Sequence, residues 1–150
     1  MMRKIPAIVL GLLLIACCVV APARGQGGTA KNGPDQTTLR DPDLERDSVK
    51  NLEAAKLYFN LRKAYRASLA RCEEILAGNP NFTRIDEVLW FAGMSNLNLS
   101  QKKGKQEPDP KISAEKYQEE ARHYLTQLVT EHPNSKFYKK AEEELSKLKQ

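Results

Sequence analysis

The chain has 150 residues, 24 Lys and Arg against 19 Asp and Glu, three cysteines and a formal charge of +5, enough for one ordinary domain with a modest core. Three basic residues (Arg3, Lys4, Arg24) and no acidic one fall in the first 25 positions, which leaves 21 basic against 19 acidic groups, a net +2. So small a balance argues against nucleic acid as partner, and if cleavage falls after Cys18, Cys72 is left without a mate, which excludes a disulfide framework.

The N-terminus reads as an export signal. Met1 to Lys4 is basic, and Ile5 to Ala16 (IPAIVLGLLLIA) is apolar and uncharged. That run is too short for a comfortable bilayer span and suits a secretory core. Two processing routes are open. Leu14-Ile15-Ala16-Cys17 resembles a bacterial lipobox, in which the leader ends at residue 16 and Cys17 receives lipid. Ala21-Pro22-Ala23 or Ala23-Arg24-Gly25 suits ordinary cleavage of a signal peptide spanning 1–25. Residues 26–47 are rich in Gly, Pro and polar side chains and predict a flexible linker.

The helical domain is expected over 48–150. Ser48 is placed to cap a first helix, with Leu52, Ala55 and Phe59 on one face; Ser68, Cys72, Ile75 and Leu76 form a second stripe. No Gly or Pro occurs between Ser48 and Ala77, yet roughly 30 residues is long for a globular helix, so two helices are expected with a turn near Leu61 to Ala64. Gly78 in the left-handed conformation and Pro80 should close the second.

A third helix is predicted over Ile85 to Leu99, with Asp86 and Glu87 at its positive end and Leu89, Ala92, Gly93 and Asn96 on one face. Residues 101–112, dense in Lys and Pro, read as an inserted loop. Ser113 opens a fourth helix striped by Ala121, Leu125 and Leu128 and stopped at Pro133. A fifth runs from about Lys136 to Lys149 with Ala141, Leu145 and Leu148 at helical spacing. No segment alternates with a two-residue period, so the fold class is all-α.

The second and fourth helices echo each other. Ser68, Cys72 and Ile75 stand at the same offsets before Pro80 as Ala121, Leu125 and Leu128 before Pro133. The order small, apolar, apolar, Pro resembles the second helix of a tetratricopeptide repeat. Leu89 to Asn96 resembles the first helix of such a repeat, with Gly93 at its small position. Leu52, Ala55 and Phe59 fit the first unit, with Lys56 where Gly is usual. Tyr138 and Ala141 open a third unit with only its first helix. The prolines lie 53 positions apart against a usual period of about 34, and the loop 101–112 absorbs most of the excess. This predicts antiparallel helix pairs stacked as a short tetratricopeptide-like solenoid of about two and a half repeats.

With the export leader, the lipobox-like Cys17 and the phrases Asn79-Pro80-Asn81 and Pro133 to Ala141, the chain resembles the BamD (YfiO) family of bacterial outer-membrane assembly lipoproteins, truncated relative to it. The resemblance implies an adaptor or scaffold in the periplasm or at the outer membrane, lipid-anchored if Cys17 is modified. Its partners would be envelope proteins or peptides, in outer-membrane protein assembly. A different class of function is a small periplasmic or lipid-anchored protein acting through homo-oligomerisation.

Nothing points to an enzyme, a metal or a cofactor. His123 and His132 are the only imidazoles, with no third ligand at metal spacing; His123, near Glu119 and Glu120, is expected in a surface ion pair and His132 at a helix C-terminus. Cys72 falls in a core stripe. The clusters Lys102-Lys103-Lys105 and Lys136-Lys139-Lys140 could touch anionic lipid or an acidic partner, but with Glu142 to Glu144 and Glu119-Glu120 nearby in sequence they read as solvated faces. In this repeat the exposed side of each first helix lines the concave surface, which nominates Leu57, Asn60, Trp90, Met94 and Asn98 as a peptide-binding groove. For Trp90, packing in the core is an equal alternative.

Overall fold

The computed structural model describes residues 41–148. The expected leader, Cys17 and positions 26–40 of the expected linker lie outside the described residues. Helix α1 spans Pro42–Leu57. Asp41 caps it from an extended backbone, accepting from Asp43 N at 2.8 Å and Leu44 N at 3.4 Å, and Pro42 occupies the first helical position, where an amide hydrogen is not needed. Residues 42–47 are thus helical, and Ser48 is not the cap. It is buried inside α1, where its hydroxyl donates to Leu44 O at 2.7 Å and accepts from Asn79 Nδ2 at 3.1 Å.

The turn after α1 appears where it is expected, without a Gly or Pro. A π-helical turn, Tyr58–Arg62, widens the end of the helix; Lys63 then takes the left-handed conformation (φ 52°), and Ala64 N donates to Tyr58 O at 3.0 Å. Helix α2, Tyr65–Gly78, follows. Gly78 stays helical, contrary to the expected left-handed closure. The helix stops because Asn79 (φ −144°) precedes a proline, whose ring excludes the helical conformation from the residue before it. Helices α3 (Ile85–Ser100), α4 (Ala114–Glu131) and α5 (Tyr138–Leu148) complete the chain. Ser113 caps α4 as expected, accepting from Lys116 N at 3.2 Å. Lys136 lies ahead of α5 instead of opening it.

The described residues are all helical, without a strand, and each helix packs on the next as a short tetratricopeptide-like solenoid. Pairs are antiparallel: the start of α1 meets the end of α2 through Ser48 and Asn79. Both offset triplets are interior, Ser68, Cys72 and Ile75 at 0, 0 and 2% exposure and Ala121, Leu125 and Leu128 at 0%. The two proline turns also repeat bond for bond. Asn79 N and His132 N each donate four residues back, to Ile75 O at 2.8 Å and Leu128 O at 2.9 Å. Phe82 N and Ser135 N donate to Asn79 O and His132 O at 3.1 and 3.0 Å, and Ile85 N and Tyr138 N to Phe82 O and Ser135 O at 3.1 and 3.0 Å.

Each proline turn is gripped by an acid near the start of the preceding first helix. Glu45 of α1 accepts from the Thr83 hydroxyl and, at 3.2 Å, from Thr83 N. Asp86 of α3 accepts from the Ser135 hydroxyl at 2.6 Å. Between α3 and α4 the backbones come close. A Cβ on Gly93 would lie 2.8 Å from Leu125 Cγ, so the small residue expected there is required by this crossing.

Loop 101–112 is largely exposed, but it is tied to the first helix pair. Lys105 N donates to Lys63 O at 2.9 Å, and Gln106 Oε1 accepts from Ala67 N at 3.1 Å, so that a residue 39 positions away satisfies an amide in the first turn of α2. Tyr117 Oη accepts from Asp109 N at 3.1 Å.

Candidate binding surface

Helices α1 and α3 and the turn before α5 share a face, and a charged network joins them. Glu87, in the first turn of α3, has a side chain only 9% exposed. Its Oε1 accepts from Arg84 Nε at 3.0 Å and faces Lys136 Nζ at 3.1 Å; Lys56 Nζ of α1 lies 3.4 Å from Oε2. Arg84 reaches on to Glu53 of α1 at 3.2 Å, and Lys56 pairs with the same carboxylate at 3.2 Å. Burial opposes ionisation of Glu87. The hydrogen bonds from Arg84 and Lys136 and the charges of Arg84 and Lys56 together outweigh it, and its carboxyl is held at about 2. Lys136 is exposed, as a solvated face requires, and also pairs with Glu87 across the stack.

One turn along α3, Trp90 is half-buried. Its ring stacks on Phe137 with centroids 5.2 Å apart and planes 10° from parallel. Phe91 meets Phe137 edge-on at 6.1 Å and Phe59 at 5.3 Å, and Phe59 meets Tyr65 at 5.1 Å. An aromatic row thus runs from the start of α2 through the π-helical turn and α3 to the turn before α5, and ring contacts of this kind add to the area they bury.

Of the nominated groove residues, Trp90, Met94 and Asn98 fall on successive turns of one α3 face, each half-buried; Asn98 Nδ2 donates to Met94 O at 2.7 Å. Leu57 and Asn60 are exposed at the far end of α1 and in the π-helical turn. Trp90 contributes to packing through one ring face and is open in part. Phe137 and Glu87 were not singled out by sequence reasoning for this surface. The Arg84–Glu87 spacing of three marks one ion pair of the network, but nothing local signals Lys136, which is 49 residues from Glu87.

The chemistry expected elsewhere is as inert as its surroundings. Cys72 has no exposed surface, and burial, with a smaller contribution from Glu73, pushes its thiol up to about 12. The expected His123 ion pair is not formed: Glu119 and Glu120 both take Lys116, each at 3.0 Å, and His123 lies edge-on to the Tyr124 ring at 5.6 Å. His132 caps α4 through its own amide. No group of three or more metal-ligating side chains occurs among the described residues.

A family model for YfiO, described as an outer membrane lipoprotein, matches residues 28–150. The chain belongs to the YfiO family. No curated protein and no solved structure gives a significant match. The family is one of accessory outer-membrane lipoproteins, and membership implies an envelope, periplasm-facing location. No helix among the described residues is long and apolar enough to cross a membrane.

Proposed function

We propose that this YfiO-family chain is a non-enzymatic adaptor of the bacterial envelope that binds other envelope proteins or peptides during outer-membrane protein assembly, as BamD-type lipoproteins do. The family match over residues 28–150 carries this reading. Its contact surface is the α3 face of Trp90, Met94 and Asn98, flanked by the Glu87 network and by Phe137. Leu57 and Asn60 extend the surface along α1. The lipid anchor at Cys17 belongs to the same proposal. Stacked helices suit this work, because each first helix adds a turn-spaced row of side chains to one continuous surface.

Homo-oligomerisation is the lesser reading. Lys139, Lys140, Glu142, Glu143, Ser146 and Lys147 of α5 are all exposed and polar, which does not suit a buried oligomer interface. Photo-crosslinking in the envelope tests the adaptor. A crosslinker at Met94 or Asn98 should capture discrete protein partners, while one at Lys147 should not. Capture only of the chain itself, or no capture from the α3 positions, would defeat the proposal. Trp90→Ala is a poor sole probe, because it also removes the stack on Phe137.

A further inference from the structure

The corner where α1 turns into α2 carries a second surface. Leu57 and Leu61, four residues apart, are 42 and 73% exposed. Arg62 and Lys63 follow directly. Lys102, Lys103 and Lys105 arrive from the segment after α3, held there by the Lys105 N to Lys63 O bond of 2.9 Å. Gly104 (φ +100°) permits that approach, since a Cβ on it would lie 2.5 Å from Lys63 O.

All five cations are exposed, and among the described residues none of them forms an ion pair, whereas neighbouring Arg66 faces Asp109 at 3.8 Å. Lys63 and Lys102 both adopt φ 52°, the left-handed region that glycine occupies without strain. The chain thus keeps a charge at two positions where the backbone favours its loss. Interaction with helix C-termini accounts for cations such as Arg62, but not for lysine in the left-handed conformation or for a leucine 73% exposed beside it.

We propose that this corner docks on an anionic phospholipid surface, with Leu61 entering the headgroup region and Arg62, Lys63, Lys102, Lys103 and Lys105 contacting lipid phosphates. Arg62 lies over the Tyr58 ring at 5.7 Å, and a protruding leucine ringed by cations that form no ion pair among the described residues fits a bilayer, which accepts an inserted side chain anywhere on its plane. An acidic protein segment would need walls to cover the same leucine. Each cation near an anionic surface contributes about fivefold in affinity, so removing two weakens the corner's attachment about thirtyfold.

Amide hydrogen exchange on the full chain tests this, with vesicles of phosphatidylcholine alone or containing about a third phosphatidylglycerol. The local readout matters because the apolar N-terminal run can itself bind lipid. Exchange over residues 57–66 and 101–107 should slow with the anionic vesicles only. The double variant Lys63→Gly/Lys102→Gly should lose this protection while melting no lower than wild type, since it relieves two left-handed lysines. Unchanged exchange at the corner, equal slowing with neutral vesicles, or full protection in the double variant would each overturn the proposal. Slowing by a polyglutamate peptide with none by anionic vesicles would make the corner an acidic-protein site and would equally overturn it.

Discussion

Replacing Glu87 by Gln removes the one carboxylate to which cations from α1, the residue capping α3 and the turn before α5 converge, and the loss should depend on pH in a defined way. The folded carboxyl is held at about 2, against 4.5 for the free side chain. A folded-state value below the unfolded one means that the unfolded chain binds more protons between those limits, so stability rises with pH through this window. It is fully present above about pH 4.5 and lost as pH falls towards 2. At about 1.4 kcal/mol per unit the shift corresponds to a ceiling near 3 kcal/mol. Lys136, 65% exposed, is screened by solvent and salt, which brings the expected contribution to about 2 kcal/mol. Urea unfolding followed by far-ultraviolet circular dichroism should show Glu87→Gln about 2 kcal/mol less stable at pH 7, with well under half that difference left at pH 3. The same deficit at both pH values would refute the reasoning, because it would show that shape, not charge, makes Glu87 matter.

Two helical glycines should respond to alanine with opposite signs. Gly93→Ala places a methyl 2.8 Å from Leu125 Cγ and should cost about 1 kcal/mol after the gain in helix propensity is subtracted, while Gly78→Ala, with nothing within 4 Å, should stabilise by about 0.5 kcal/mol or more; thermal melts compare them directly. The buried hydroxyls of Ser68 and Ser95 have no hydrogen-bond partner among the described residues, so Ser95→Ala should leave the midpoint of urea unfolding unchanged or raise it, and a fall of more than about 1 kcal/mol would mean that a bond is being lost. Cys72 should resist thiol reagents at pH 8 until the chain unfolds, a result read by peptide mapping of the labelled site; labelling in the folded protein would contradict its enclosed setting.

The sequence by itself determined the helices, their punctuation and the repeat. Periodic apolar positions are local, and so are prolines that end a helix through their own ring, which is why Ser68, Cys72 and Ile75 and their counterparts Ala121, Leu125 and Leu128 could be matched by counting. The start of α1 was harder to read, since Asp41-Pro42 is a cap followed by a first helical residue, but the Gly- and Pro-rich composition of 26–47 favoured a flexible linker. Gly78 misled for a similar reason: a glycine can close a helix, but the adjoining proline had already done so.

Only the tertiary structure decided which side chains serve together. Glu87 and Lys136, Gln106 and Ala67, and Trp90 and Phe137 meet across 39 to 49 positions, and no local period encodes such pairs. The same holds for the basic corner, where lysines that look like solvated loop residues are gathered by one backbone hydrogen bond and one glycine. Local chemistry fixes where each helix begins and ends, whereas a surface made of several helices exists only once they have packed.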